Sequence, residues 1–397
     1  MNILVVGNGF DLAHGLATSY SDCLNFFAMA QRCINDETYN ECRSILWRDP
    51  SRRKSSLSFN DAQIDILKGI LKNEYRKNTK YSLFGECIQD NLWIEHFLNK
   101  QNLNKDDQHK WIDFEAEMSR VVQVTERRIK DLCNKFTTVK QMNVEFFSQQ
   151  DIKRYPHFQN TGEKIATYIR SKFQINSLIE HAAYSIVELL YRDLLKLTTA
   201  VEIYINTCTS SHPTMLLREM SEIGAIDRVI SFNYTNTFQL YIKDDRVKPK
   251  DICYIHGKIR QTITDNNSLI VLGINEYNEE NPQNQNVDWV MFKKSFQRIF
   301  KRSDFQYVDW KSDLQEGEIS NLYILGHSLD VTDGDILREL IDQPNRYTTV
   351  FYRNEKQLST EIVNLIRILG TDGLNKRARN VPPTIAFKKQ EPPIKIS

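Results

Sequence analysis

Ile3-Leu4-Val5-Val6-Gly7-Asn8-Gly9-Phe10-Asp11 is the stretch that decides the fold of this chain. Four apolar residues run without a break into a glycine turn. A short apolar run ended by glycines reads as a buried parallel strand, because a strand covered on both faces has no polar side to alternate with. Glycines at its end let the backbone turn sharply and come close to a ligand. Doubly wound dinucleotide folds place a pyrophosphate at such a turn, where free N–H groups face the anion. The three-glycine fingerprint is incomplete, since the next glycine, Gly15, comes late. The same residues also describe a tight strand-to-helix turn with no ligand.

Working outward, the C-terminal part repeats the strand pattern. Apolar runs at 229–230, 252–255, 269–272, 322–325 and 348–352 are candidate strands. Residues 288–300, 333–341 and 355–369 read as helices between or after them. Strands alternating with helices predict an α/β fold with a doubly wound, mostly parallel, Rossmann-type sheet. The first strand is separated from the rest by a long helical insertion. Within it, Met118, Val122, Thr125, Ile129, Leu132 and Phe136 recur at steps of three and four, as do Ile179, Ala183, Ile186, Leu190, Leu194, Leu197 and Val201. Each set lines one face of an amphipathic helix and reads as core. Such an insertion is tolerable because loop-closure cost grows only logarithmically. The expected organisation is a discontinuous α/β domain (1–22 and 226–370), a helical insertion (23–225) and a basic, proline-containing tail (371–397).

The 397 residues carry a formal net charge of +1, with 41% hydrophobic and 26% charged residues. Near-neutrality argues against gripping nucleic acid over a broad surface. Arg52-Arg53-Lys54 reads as solvated surface, since no aromatic platform is interleaved with it. No secretory signal and no long apolar span is present, so a cytoplasmic protein without membrane contact is expected. The seven cysteines are scattered without a Cys-x-x-Cys pair, which suggests neither a zinc ribbon nor a disulfide framework.

Polar clusters sit at the predicted strand ends, where open α/β sheets bind ligands. They are Gly7-Asn8-Gly9-Phe10-Asp11, Ser231-Phe232-Asn233-Tyr234-Thr235-Asn236, Ile255-His256-Gly257 and Gly326-His327-Ser328-Leu329-Asp330. Asn233 is a neutral donor and acceptor, suited to a ribose hydroxyl or an attacking water, or simply a turn asparagine. His256 suits acid–base work near neutral pH, or a structural role. Gly326 permits close approach, and Ser328 can donate to a phosphate. Asn354, before Glu355, is either a ribose contact or a helix cap. Asp113, in Trp111-Ile112-Asp113-Phe114-Glu115, is placed as a helix cap with Glu115 in the first turn.

Those motifs, with His14-Gly15-Leu16-Ala17-Thr18-Ser19-Tyr20-Ser21-Asp22, resemble the bacterial AbiH family of phage abortive-infection proteins. The resemblance spans nearly all of the chain up to Gly370. More distantly, their order is similar to the sirtuin-like NAD-binding fold. That likeness implies a phosphate and ribose cradle at Gly7, Asn8, Gly9, Phe10, Gly326, Ser328 and Asn354. It implies catalytic roles for Asn233 and His256, and Asp11 is expected near the nicotinamide end. The four-cysteine zinc module of deacylating sirtuins has no counterpart, because no cysteine follows Cys253. Thr235 stands where an acidic residue is expected.

The leading expectation is a phage-defence enzyme that consumes NAD, its substrate, at the nicotinamide–ribose bond, with no zinc and no other metal. NAD or a related nucleotide and a phage-derived trigger are the implied partners, with room for a homo-oligomer. One alternative is a metal-dependent nuclease or phosphoesterase, with Asp330, Asp333 and Asp335 and either Asp113 or Glu115 as ligands. Another is a non-catalytic nucleotide sensor.

Overall fold

The computed structural model describes residues 1–35, 59–71, 79–103, 113–139, 146–174, 176–209, 215–241, 247–274, 287–303, 306–310 and 318–395. Arg52-Arg53-Lys54 and Trp111-Ile112 lie outside them. Six strands form one sheet: β1 (Asn2–Val6), β2 (Arg228–Ser231), β3 (Ile252–Tyr254), β4 (Ser320–Leu325), β5 (Arg346–Tyr352) and β6 (Ile385–Lys389). The order is β3-β2-β1-β4-β5-β6 and every pairing is parallel. This is the order of the doubly wound fold, with its reversal between β1 and β4.

The unbroken apolar run of β1 has a simple cause. Ile3 and Val5 join one core with Ile230, Leu322 and Ile324, while Leu4 and Val6 join a second with Val229, Ile252 and Leu325. Both faces are covered, so neither parity can be polar. Val6 pairs with both Ser231 and Leu325, so the strands end level. Gly7, Phe232 and Gly326 therefore leave the sheet side by side.

Among the described residues, the α-helices of six residues or more are α1 (Asn8–Ala13), α2 (Tyr20–Asn35), α3 (Asp61–Leu71), α4 (Thr79–Ile88), α5 (Leu92–Leu103), α6 (Phe114–Lys135), α7 (Gln149–Arg154), α8 (Phe158–Lys172), α9 (Ile179–Cys208), α10 (Lys294–Phe300), α11 (Gly334–Ile341), α12 (Glu355–Leu369) and α13 (Thr371–Arg379). Both apolar stripes read from the sequence form helices, α6 and the 30-residue α9. Asp113 caps α6 by accepting from the Ala116 N–H at 3.0 Å. Phe26, Phe27, Trp93, Phe97, Phe114 and Tyr204 fill the helical core, which also takes Ile259, Ile270, Leu272, Trp289 and Phe292 from the segment between β3 and β4. No helix among the described residues is long and apolar enough to cross a membrane.

Three expectations need correction. Residues 269–272 are not a strand of the sheet: Ile270 and Leu272 are buried in the helical core. Periodicity cannot tell an apolar run packed on helices from one packed in a sheet. The segment after Gly370 is not simply a tail. It forms α13 and then β6, where Ile385 is buried and pairs with Thr348. Lys388 and Lys389 make it look like a tail, yet such charges are what an edge strand uses to discourage further pairing. Cys33 is disulfide-bonded, whereas Cys23, Cys87, Cys133, Cys208 and Cys253 are free.

Candidate active site at the switch point

A cavity of about 670 Å³ opens at the carboxyl ends of the strands, within the range of small-molecule sites. Its floor is made by the loops after β1 and β4, which are packed very tightly. The Gly9 N–H donates to the Gly326 carbonyl at 2.8 Å. A Cβ on Gly9 would lie 2.7 Å from that oxygen and 2.8 Å from Arg353 Nη2, and one on Gly7 would lie 2.7 Å from His327 Cα. Gly326 has φ +72°, and a Cβ there would lie 2.2 Å from the Phe10 nitrogen. The glycines are thus required first by loop-on-loop packing. Gly15, also at positive φ, belongs to the turn that ends α1.

Asp11, on α1, is 1% exposed. Its Oδ2 accepts from Thr235 Oγ1 at 2.7 Å, and Thr237 Oγ1 donates to Thr235 Oγ1 at 2.8 Å. Oδ1 has no partner. Burial pushes its pKa up to about 6, against the hydrogen bond from Thr235. Asn233 Nδ2 donates to the Gly7 carbonyl at 2.9 Å, so this amide ties the loop after β2 to the glycine turn.

The most charged part lies between the sheet and the helical region. His256 Nε2 is 3.1 Å from Asp333 Oδ1, and His256 Nδ1 is buried without a partner. Burial, aided by Lys294, pushes the His256 pKa down to about 4, although Asp333 pulls the other way. The ring is therefore neutral. With a carboxylate at Nε2, the ring proton sits there and Nδ1 carries the free lone pair, the arrangement in which an Asp-held histidine acts as a base. Lys294, 2% exposed, places Nζ 2.7 Å from Glu115 Oε2 and 3.1 Å from Asp333 Oδ1. Burial disfavours charge on Asp333, but Lys294 and His256 outweigh it and hold its pKa well below the usual range. Glu115 goes the other way: burial lifts its pKa to about 7 despite Lys294. His327 Nδ1 accepts from the Leu329 N–H at 2.9 Å, which turns Nε2 toward Asp333 Oδ2 at 3.6 Å.

The opposite wall is α12 and the loop before it. Arg353 Nη2 donates to the Gly9 carbonyl at 3.0 Å. Asn354 Oδ1 accepts from the Gln357 N–H at 3.0 Å, so its oxygen caps α12. Ser328 is exposed on the facing loop.

Asp11, Asn233, His256, Gly7, Asn8, Gly9, Gly326, Ser328 and Asn354 all line this one cavity. Phe10 does not: its side chain is fully buried in the core beneath, and its N–H donates to the Gly7 carbonyl at 2.8 Å. Sequence reasoning missed Lys294 and Glu361, and weighed Glu115 and Asp333 only as helix-end residues or metal ligands. For Asp333 and Glu115 a signal existed, since each follows a capping aspartate and lies next to a motif. Lys294 had none.

The acidic residues do not suit a divalent cation. Lys294 already bridges Glu115 and Asp333, Asp335 pairs with Arg298 at 3.1 Å, and Asp330 caps the Thr332 N–H at 2.9 Å. Among the described residues, His96, Glu117 and His157 have metal-ligand spacing, away from the cavity. Lys100 and Arg120 already neutralise that carboxylate, so a dication would leave a buried excess of positive charge.

Comparison with curated proteins and with solved structures finds no match. A family model does match, over residues 3–353, which takes in every motif around the glycine floor and both members of the His256–Asp333 pair. The chain belongs to the family described as bacteriophage abortive infection AbiH.

Proposed function

We propose that the cleft binds NAD and hydrolyses its nicotinamide–ribose bond, as the effector step of abortive infection. The observation that carries this reading is His256, neutral, with Nε2 on Asp333 and Nδ1 free, lining a cavity at the switch point of a 3-2-1-4-5-6 sheet. The similarity read in the sequence between its motif order and that of the sirtuin-like fold adds to it. Water attacks C1′ of the nicotinamide ribose through an oxocarbenium-like transition state. His256 Nδ1 takes a proton from that water. The C1′–N bond breaks and its electron pair stays on the departing nicotinamide, giving ADP-ribose, nicotinamide and a proton. Asp333 fixes the tautomer and stabilises the imidazolium as it forms. Asn233 acts by holding the glycine turn in place, and Asp11 offers its free Oδ1 to the nicotinamide end. The phosphates lie over the floor at Gly7, Asn8 and Gly9, facing Ser328, with Arg353 beside them.

A metal-dependent phosphoesterase has less support, because the acidic residues it needs are already bridged, paired or capping. A pure sensor does not need a buried, unpartnered imidazole nitrogen. The test is incubation of purified protein with NAD, with and without magnesium, and with extract of phage-infected cells to supply a trigger. Nicotinamide release that needs no magnesium and is lost in His256→Ala is the expected result. No release under any of these conditions overturns the reading.

A further inference from the structure

Glu361 lies on the cavity wall and has no role in the chemistry above. It is 1% exposed, on α12. Its Oε1 accepts from Gln357 Nε2 at 2.7 Å, and its Oε2 has no partner. Three residues on, Asn364 Nδ2 donates to the Ser328 carbonyl at 3.1 Å, which seats this face of α12 against the loop after β4. A buried carboxylate oxygen without a donor is costly, and a ligand donor placed against it removes that cost. Burial leaves the group with a pKa near 7 despite Gln357 and Arg353.

We propose that Glu361 accepts from the hydroxyls of the non-reacting ribose and rejects a phosphate there, so that the cleft takes NAD and excludes its 2′-phosphorylated form. This rests on the nucleotide reading given above. Position supports it. His256 follows β3, whereas α12 follows β5, and those strands are four places apart in the sheet. That is roughly 19 Å at ordinary strand spacing. A dinucleotide laid across the switch point puts its reacting ribose at the first and its other ribose toward the second. Arg353 and Lys356, exposed on the same wall, suit the phosphates between. A hydroxyl can donate to Oε2, but a phosphate oxygen beside it sets like charges together in a dry site, which disfavours the phosphorylated ligand.

The test is calorimetric titration of the full chain at pH 8 with ADP-ribose and with 2′-phospho-ADP-ribose, neither of which requires turnover. ADP-ribose should bind at least about tenfold more tightly. Glu361→Gln should shrink that ratio to within about threefold, mainly by improving the phosphorylated ligand. Equal wild-type affinities overturn the inference and leave nucleotide binding intact. A ratio that Glu361→Gln leaves unchanged also overturns it. Binding of neither ligand removes the nucleotide reading and this inference together. Should Glu361→Gln misfold, the wild-type ratio still decides.

Discussion

At the residue scale, the site depends on groups whose charge state is set by burial. His256 is the clearest. A base must be unprotonated, and a group with pKa about 4 is unprotonated above that value. Cleavage should therefore stay level through pH 5–8 as far as His256 is concerned, and fall as pH drops toward 4. A rate–pH profile with its acid limb at 6.5 would contradict this. His256→Ala should lower the rate ~10²–10⁴-fold with the fold intact. Asp11 makes a prediction about stability. Its folded pKa, about 6, lies above the ordinary aspartate value of 3.8. Its contribution is therefore fully present below 3.8 and lost as pH rises through about 6. Two pKa units correspond to about 3 kcal/mol. Asp11→Asn should thus gain ~3 kcal/mol relative to wild type between pH 3.5 and pH 8. Urea unfolding at both pH values checks it, and an unchanged difference would remove Asp11 as the buried acid. Lys294→Met leaves Glu115 and Asp333 as adjacent buried carboxyls without their cation. A loss of ~3–5 kcal/mol in the same assay is expected.

At the element scale, the informative unit is the turn from β1 into α1. Its glycines suggest a ligand cradle, but the atoms nearest an added Cβ at Gly9 are the Gly326 carbonyl and the Arg353 guanidinium. Gly9→Val should therefore be a packing defect, costing ~1–3 kcal/mol or more, before it is a binding defect. Thermal unfolding followed by circular dichroism, with NAD titration on the same sample, separates the two. A variant as stable as wild type that no longer binds NAD would restore the cradle as the primary reason for glycine. This turn also shows what the sequence could and could not tell. Ile3 to Val6 identified the central strand because burial on both faces leaves a continuous apolar signature. Gly7, Asn233, His256 and Gly326 were legible because strand ends carry ligands in this class of sheet. Lys294 was not, because its meaning comes from Glu115 and Asp333, which are distant in sequence. Glu361 was hidden by an ordinary helical context, where a glutamate reads as solvated. The strand β6 was hidden by its own edge lysines.

At the scale of the whole molecule, the helical region and the sheet share more than a linkage. Tyr20, Tyr204 and Glu115 come from helices and line the cavity beside His256. The helical core is completed by Ile259, Ile270, Leu272, Trp289 and Phe292, which follow β3. Residues 23–225 expressed alone should lack those partners and unfold without a sharp transition. A cooperative calorimetric transition of that fragment would show instead that it is self-sufficient. The shared core bears on how the protein is made. The central strand is residues Asn2–Val6, yet its hydrogen-bonding neighbours are Arg228–Ser231 and Ser320–Leu325. A ribosome adding about 5–20 residues per second leaves β1 without both partners for roughly 15–65 s. Throughout that time the glycine turn has no Gly326 carbonyl to close on, and His256 has no Asp333. A chain that stops short of residue 320 therefore lacks one neighbour of its central strand, the carbonyl that closes the glycine turn and the carboxylate that holds His256.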